Sequence, residues 1–354
     1  MIGALAHAAE PRLAACDAFG EALSRFDQAK PIAVLSHFDA DGLTAAAILV
    51  RALRTAGWQA DAVTTGKGET PWDASVTAAL KARDPGGLIL TDLGTRSDPV
   101  LPGCPTIVID HHVPTGEPAD AVTISGNGLS PEPTSALLAW WAAGALGDQD
   151  DLLWLAAVGL IGDMAEDWPE LEQAQARWGK TALRDATSLV NAPRRTAAAD
   201  PGPALSLLLT GDGPKVITKG ESDEARALHA AKVEVRHAVD AARRVAPKVV
   251  GDVALIRFDS PCQIHPLIAQ QWRGRLKDKI VLAANTGYRP GWVHFAARSA
   301  SGRDLIRFLA EHRPAGADGR YGNGHAQATG GALRPADWNH FVSALGYPEE
   351  QVPA

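Results

Sequence analysis

The chain has 354 residues, of which 46% are hydrophobic, and its formal net charge is −7. This length suggests about two domains of roughly 100–200 residues, with enough apolar residues for ordinary globular cores. The acidic balance argues against a dedicated binder of long nucleic acid, but not against a polyanionic substrate, because some of the acids could be metal ligands.

Cysteine content and targeting signals bear on the compartment. The three cysteines lie far apart and form no Cys-x-x-Cys pair, so neither a zinc ribbon nor a disulfide framework is indicated, which fits a reducing cytoplasm. We find no basic start followed by an apolar block, and no apolar run of the roughly 18 residues that a membrane span needs. We therefore expect a cytoplasmic protein without a membrane partner.

The first half of the sequence alternates short apolar strands with helical stretches. Strands are predicted at 32–35, 88–91, 106–109 and 121–125, and a helix at 43–54. This alternation predicts a parallel sheet with helices on both faces. Ligands of such sheets bind outside the carboxyl ends of the strands, and His37, Asp92 and Asp110 each follow a predicted strand.

The middle of the sequence is predicted to lead out of the first domain. Thr134 is a candidate N-cap for one helix, and a second helix at 152–161 would present Asp163 at its end. Residues 165–220 contain several prolines and are predicted to be less regular. The segment 222–244 is helix-like with mixed charges, which favours a solvated connecting helix over a nucleic-acid contact.

The C-terminal part forms a second alternating block. Strands are predicted at 253–258, 280–285 and 292–297, with a turn-rich, hairpin-like connection between the last two. A helix is predicted at 302–312 and a glycine-rich loop at 319–331. The pattern indicates a second, smaller α/β domain.

Acid and imidazole groups recur at the ends of the predicted elements of the first domain. They are His37-Phe38-Asp39-Ala40-Asp41-Gly42, Asp92, Asp110-His111-His112 and Asp163. Each piece alone has a plainer explanation as a turn or helix cap, but all four in this order favour a site. Hydrolysis of a phosphate ester suits two divalent ions about 3.5–4 Å apart, held by oxygens and imidazoles. Asp92 is a candidate bridge between the ions.

On these motifs the chain resembles the DHH-family phosphoesterases with a C-terminal DHHA1 domain, the family of RecJ exonucleases and nanoRNases. The resemblance runs from about Ile32 to Leu333. It implies one manganese ion held by His37, Asp39 and Asp92, and a second held by Asp41, Asp92, His111 and Asp163, with magnesium as the alternative. It also implies that Asp110 orients an imidazole and that His112 faces the phosphate or the attacking water.

Two further elements resemble substrate-binding parts of the family. Ala297-Arg298-Ser299 is similar to its Arg-Ser element, and Gly322-Asn323-Gly324-His325-Ala326 to its Gly-Gly-His element, with Asn323 in place of the usual glycine. Arg298 can grip a phosphate bidentately, and glycines let backbone amides approach an anion. Ser299, Gly322, Gly324 and His325 are the other expected substrate contacts. Tyr321 and Trp292 are candidate stacking residues, with packing as the plainer role.

A third element, Asn191-Ala192-Pro193-Arg194-Arg195, resembles an Asn-Ala-Ala-Gly-Arg element of RecJ-like members, with proline and arginine replacing alanine and glycine. A plain surface loop is the favoured interpretation, and a substrate role for Asn191 or Arg194 is the alternative.

These features predict an α/β protein: a parallel-sheet DHH domain and a smaller α/β DHHA1 domain with a cleft between them. We expect a DHH metal-binding catalytic domain at 1–220, a connecting helix at 221–246 and a DHHA1 substrate-binding domain at 247–354. The expected function is a manganese-dependent exonuclease or phosphodiesterase acting on single-stranded DNA or short oligonucleotides. Alternatives are a small-nucleotide or cyclic-dinucleotide phosphodiesterase or phosphatase, an exopolyphosphatase, and a non-catalytic binding protein, which the complete ligand set disfavours.

Overall fold

The chain forms two units, each built on its own sheet. The structure is a computed structural model that describes residues 2–353, with only the backbone described for residues 2–9, Asn323 and His325. The first unit comprises Met1–Arg194 and Ala199–Ala230, and the second comprises Arg195–Ala198 and Ala231–Ala354. Within residues 2–353, none of the helices has the length and apolar character needed to cross a membrane.

A parallel five-stranded sheet forms the centre of the first unit. Its strands are β1 (Ile32–Ser36), β2 (Ala60–Thr64), β3 (Gly87–Thr91), β4 (Thr106–Asp110) and β5 (Ala121–Ser125), in the order β2-β1-β3-β4-β5. Every residue of β1 and β3 is buried, as expected for strands that are covered on both faces. The predicted parallel sheet is confirmed, and its carboxyl edge collects the loops that carry the acid and imidazole motifs.

The helices of the first unit cover this sheet and pack on one another. They are α1 (Ile2–Leu23), α2 (Ala40–Thr55), α3 (Ala74–Lys81), α4 (Ser135–Ala143), α5 (Leu153–Gly162), α6 (Pro169–Trp178), α7 (Lys180–Val190), α8 (Gly202–Thr210) and α9 (Lys215–Thr218). The strongly apolar α4 and α5 pack against α2 in the main core, which includes Trp141 and Trp154. Thr134 caps α4, as predicted, by accepting a hydrogen bond from the Leu137 N–H.

The prediction of irregular structure at 165–220 is wrong, because α6, α7, α8 and α9 lie there. The prolines that suggested it stand at helix starts or in turns. Pro203 is in the first turn of α8, Pro214 precedes α9, and Pro193 begins a 3₁₀ turn. A first-turn N–H has no partner within the helix, so proline costs little there.

The second unit is a six-stranded mixed sheet with helices. After α10 (Asp223–Ala242), which leads the chain into this unit, come β6 (Lys248–Val250), β7 (Val253–Phe258), α11 (His265–Arg273), β8 (Ile280–Arg289), β9 (Trp292–Ser299), α12 (Leu305–Glu311), β10 (Tyr321–His325), β11 (Ala328–Leu333) and α13 (Pro335–Ala344). The strand order is β10-β11-β9-β8-β7-β6, and only the β7–β8 pair is parallel. The predicted hairpin of β8 and β9 and the predicted second α/β domain are confirmed.

The predicted glycine-rich loop at 319–331 is instead the antiparallel pair β10–β11. Glycine is used there because neighbouring backbone comes close. A Cβ at Gly330 would lie 2.4 Å from the Phe295 carbonyl oxygen, and one at Gly331 would lie 2.8 Å from the Arg320 carbonyl oxygen. Composition alone favoured a loop, whereas pairing with β9 sets the structure.

Candidate metal centre

The loop after β1 turns sharply into α2 and presents two carboxylates. Asp39 is the N-cap of α2, and its Oδ1 accepts a hydrogen bond of 3.1 Å from the Gly42 N–H. A Cβ at Gly42 would lie 2.4 Å from the His37 carbonyl oxygen, so this turn requires glycine. Asp41 follows in the first turn of α2 and is fully buried.

The Asp41 carboxylate is fixed by the start of a neighbouring helix. Its Oδ2 accepts the Ser135 N–H at 2.8 Å, and its Oδ1 accepts the Ala136 N–H at 2.9 Å. These amides are the first of α4, where a helix N-terminus favours negative charge. The sequence analysis did not identify these amide contacts, and only the Thr134 cap indicated that a helix begins there.

Asp92, directly after β3, lies between two imidazoles. Its Oδ2 is 3.4 Å from His37 Nδ1, and its Oδ1 is 3.6 Å from His111 Nε2. The residue has φ 62°, a left-handed backbone that aspartate tolerates better than most residues. Its buried side chain can therefore offer one oxygen to each side.

Asp110, the last residue of β4, ties two loops together and holds His112. Its Oδ2 accepts the N–H groups of Leu93 at 2.8 Å and Gly94 at 2.7 Å. Its Oδ1 accepts the His112 N–H at 2.7 Å and lies 2.9 Å from His112 Nδ1. Burial acts to raise the pKa of Asp110, but the contacts with His112 and the loop amides lower it. The hydrogen bond between Asp110 and the imidazole of His112 is also the main cause of the raised pKa of His112. The side chain of His112 is 44% exposed.

His111 directs a buried nitrogen at three carboxylates. Its Nε2 lies 3.3 Å from Asp163 Oδ2, 3.6 Å from Asp92 Oδ1 and 3.9 Å from Asp41 Oδ2. Asp163 is at the C-terminal end of α5. Within the described part of the chain this nitrogen has no hydrogen-bond partner. A buried imidazole nitrogen of this kind, facing several acids, is what a divalent cation would satisfy.

Glu132 lies on the other side of the same imidazole. Its Oε1 is 3.3 Å from His111 Nδ1. The sequence analysis did not identify this residue, because a single acid in the proline-containing segment before α4 gives no signal of its own.

The side chains that the family resemblance implies as metal ligands lie together. Ligand atoms within 4.8 Å of one another form a His37 group (His37, Asp39, Asp92), a His111 group (Asp41, Asp92, His111, Asp163) and an overlapping set of Asp92, His111 and His112. Asp92 belongs to every group. Carboxylate oxygens and imidazoles in this mixture suit Mn²⁺ or Mg²⁺. The role of each residue in holding an ion stays a prediction.

The pKa shifts in the cluster reflect burial and the close approach of several carboxylates. Burial, together with the charges of Asp92 and Asp163, raises the pKa of Asp41 well above its ordinary value. Burial alone would lower the pKa of His111, but its contacts with Asp163 and Asp92 raise it to about 12. The pKa of His37 is raised against burial to about 10 by Asp39 and Asp92. A divalent cation would relieve this crowding of carboxylates, so the residues fit such an ion.

The segment 191–195 also contacts the cluster. Asn191 Oδ1 accepts the Ala40 N–H at 3.0 Å, and Arg194 Nη1 lies 2.7 Å from Asp39 Oδ2. The Arg194 side chain is 19% exposed. The prediction of a plain surface loop is therefore wrong for these two residues.

The predicted substrate-binding residues of the second unit lie on β9 and β10, which flank β11. Arg298 Nη1 donates to the carbonyl oxygens of Ala297 at 2.8 Å and Thr329 at 3.1 Å, while Ser299 is buried. Gly322 (φ 81°) and Gly324 (φ 130°) have left-handed backbones. The side chain of His325 lies outside the described residues. The role of these residues in substrate binding stays a prediction.

The two candidate stacking residues differ. Tyr321 is 4% exposed and donates its hydroxyl to the Leu309 carbonyl oxygen, so it packs in the core. Trp292 is partly buried and carries the Arg334 guanidinium 3.8 Å from its ring centroid.

Comparisons with known proteins are consistent with this architecture. Residues 31–177 match the model described as the DHH family, N-terminal domain. A search of curated proteins found no match. A structure of exonuclease RecJ bound to manganese shares 22% identity and a TM-score of 0.68, covering 96% of this chain and 95% of that one.

Two further structures extend the comparison. RecJ from Thermus thermophilus in complex with Mn²⁺ shares 23% identity and a TM-score of 0.71, and the match covers 96% of this chain but 55% of that one. An exopolyphosphatase-related protein from Bacteroides fragilis shares 13% identity and a TM-score of 0.54, covering 95% and 97%. At these identities the likenesses show a common fold.

Proposed function

We propose that the chain is a metal-dependent phosphoesterase of the DHH family, whose N-terminal domain model matches residues 31–177. Within that family we propose a two-metal phosphodiesterase that cleaves single-stranded DNA or short oligonucleotides. The observation that carries the proposal is the position of Asp92, which two groups of ligand atoms share. A carboxylate between two ion positions is the central element of two-metal hydrolysis.

We assign one ion to the His37 group and one to the His111 group. His37, Asp39 and Asp92 would hold one ion, and Asp41, Asp92, His111 and Asp163 would hold the other, with Mn²⁺ favoured and Mg²⁺ as the alternative. Such ions supply an activated water molecule and neutralise charge on the phosphoryl oxygens. The amides of Ser135 and Ala136 keep Asp41 in place, so that one ligand is preorganised.

His112 is the chain's own proton-handling group in this proposal. Asp110 occupies its Nδ1, which leaves Nε2 to contact a phosphoryl oxygen or the attacking water. The raised pKa of His112, caused first by the Asp110 hydrogen bond, favours the protonated ring. A protonated imidazole can donate a proton or a charged hydrogen bond to an oxygen that gains negative charge.

The substrate assignment concerns the second unit. Arg298, Ser299, Gly322, Gly324 and His325 are proposed to hold a phosphate or a terminal nucleotide. The net charge of −7 favours a short strand, because long strands demand many phosphate contacts.

All three cysteines are free thiols, which suits the cytoplasm in which we expect the protein to act.

A degradation panel tests the proposal. Purified chain and Mn²⁺ would be incubated with single-stranded DNA and RNA labelled at either end, from dinucleotides to longer oligomers, and with cyclic dinucleotides and polyphosphate. We expect stepwise shortening of oligonucleotides from one end, abolished by chelation and by Asp92→Asn. Cleavage of dinucleotides, cyclic dinucleotides or polyphosphate alone would overturn the substrate assignment. Failure to hydrolyse any phosphoester with Mn²⁺ or Mg²⁺ would overturn the enzymatic proposal.

A further inference from the structure

Arg194 is built into the edge of the metal centre. Its Nη1 lies 2.7 Å from Asp39 Oδ2, and the two side chains are only 19% and 14% exposed. The 3₁₀ turn Pro193–Arg195 carries the residue, and Asn191 just before it is anchored to α2 through the Ala40 N–H. The guanidinium is therefore held against Asp39 and is not a mobile surface charge.

The oxygens of Asp39 already have partners. Oδ1 accepts the Gly42 N–H, while Oδ2 faces both Arg194 Nη1 and, at 3.0 Å, His37 Nδ1. An ion of the His37 group that used Oδ2 as its ligand atom would share that oxygen with the guanidinium. A fixed positive charge on a ligand atom opposes a second cation on that atom, and the opposition is strongest where water is scarce.

The His111 group and the His37 group differ in charge. The His111 group contains three carboxylates, those of Asp41, Asp92 and Asp163. The His37 group contains two, and one of them is paired with Arg194. The attraction for a divalent ion therefore favours the His111 group, because that group has a third carboxylate and because Arg194 neutralises part of the charge of the His37 group.

We propose that Arg194 makes the two ion positions unequal by weakening divalent-ion binding at the His37 group. The His111 group then fills first, and the His37 group fills only at higher ion concentration. Activity, which needs both ions, would follow the supply of free Mn²⁺ through the weaker position. This inference rests on the proposed two-metal function.

The test is Mn²⁺ binding to the full chain, followed by electron paramagnetic resonance of the free ion and by calorimetry. We expect the wild type to bind two ions whose dissociation constants differ by at least about tenfold. Arg194→Met should tighten the weaker position by about tenfold and leave the tighter one unchanged. Arg194→Lys keeps the charge and should keep the weaker position weak.

Arg54→Met is the matched control. Arg54 lies near the far end of α2 and forms a more exposed ion pair with Asp61 at 2.9 Å. Its removal should leave both dissociation constants unchanged. Circular dichroism and urea denaturation of each variant establish that the fold persists.

The outcomes separate this inference from the function beneath it. Two equal dissociation constants in the wild type, or an unchanged or weakened second position in Arg194→Met, would overturn the role given to Arg194 and leave the two-metal site standing. A weakened position would mean that Arg194 only orients Asp39 for the ion. A wild type that binds no ion would overturn the proposed metal site itself.

Discussion

Glu132 Oε1 lies 3.3 Å from Nδ1 of His111, while the other ring nitrogen, Nε2, faces the carboxylate of Asp163. A proton on Nδ1, beside the Glu132 carboxylate, would leave the lone pair of Nε2 directed at the cluster. Carboxylates in this position behind a metal-binding imidazole fix its tautomer and its orientation. We therefore infer that Glu132 positions His111 in the proposed centre and is not itself a ligand.

We predict that Glu132→Ala weakens Mn²⁺ binding at the His111 group by about 10–100-fold, the usual effect of losing such a partner. Glu132→Gln keeps an oxygen acceptor for Nδ1 and should lose less. Calorimetric titration with Mn²⁺ measures both. Glu172→Ala, which removes an exposed acid on α6, is the control. Binding by Glu132→Ala that equals the wild type would contradict the positioning role.

Asp92→Asn should abolish hydrolysis and reduce the number of bound ions while the fold is retained. The substitution keeps the shape of the side chain, and asparagine, like aspartate, tolerates the left-handed backbone at φ 62°. The new amide supplies one neutral oxygen where the carboxylate could serve both ligand groups. The checks are hydrolysis with Mn²⁺, ion stoichiometry and a urea denaturation curve. Activity near the wild-type level would contradict an essential role for Asp92 as the carboxylate shared by the two ion positions.

Gly159→Ala should disturb the metal centre, because the added methyl group would crowd Asp41. A Cβ at Gly159 would lie 2.5 Å from Ala136 Cβ and 2.6 Å from Asp41 Oδ1. Neither neighbour can move freely, since Asp41 is held by the first amides of α4. We expect a loss of about 1–3 kcal/mol in unfolding free energy, typical of overpacking, together with weaker Mn²⁺ binding.

Gly144→Ala is the control for that change. It has φ −55°, and among the described residues a Cβ there would meet Cys16 Sγ, at 3.8 Å. Its unfolding free energy by urea denaturation and its Mn²⁺ affinity should stay close to those of the wild type. Equal behaviour of the two alanine variants would contradict the packing argument for Gly159.

The sequence allowed the sheet of the first unit and the grouping of its polar residues to be predicted, because short apolar strands are local patterns. His37, Asp92 and His111 each follow such a strand, and the ends of parallel strands meet at one edge. Contacts that depend on packing between distant segments could not be predicted in the same way. Arg194 meets Asp39 across 155 positions, and Ser135 meets Asp41 across 94.

The second unit shows the same limit on a smaller scale. Glycines at 330 and 331 predicted a loop, since glycine is rare inside strands. In the structure they lie on β11, where the backbones of β9 and β10 approach too closely for any Cβ. Composition records that glycine is present, whereas the neighbour that requires it becomes known only from the fold.

A buried histidine should make stability depend on pH. His265, 5% exposed, lies beside His294, with ring centroids 5.9 Å apart. Burial first, and then the positive charges of His294, Arg195 and Arg298, lower its pKa well below the ordinary value. In the unfolded chain the pKa of this histidine is about 6.5. As the pH falls below that value, the unfolded chain therefore binds a proton at His265, whereas the folded chain leaves His265 neutral. Stability is complete above about pH 6.5 and falls as the pH drops below it, by at most about 1.4 kcal/mol per pH unit.

We predict that His265→Phe removes this part of the pH dependence. In urea denaturation between pH 5 and pH 7.5, the wild type should lose more unfolding free energy than the variant as the pH falls. The other histidines are the same in both proteins, so the difference between the two curves isolates His265. His340→Gln, a change at an exposed position on α13, is the control for the removal of an exposed histidine. Parallel curves for wild type and His265→Phe would show that His265 takes up its proton equally in the folded and unfolded chain.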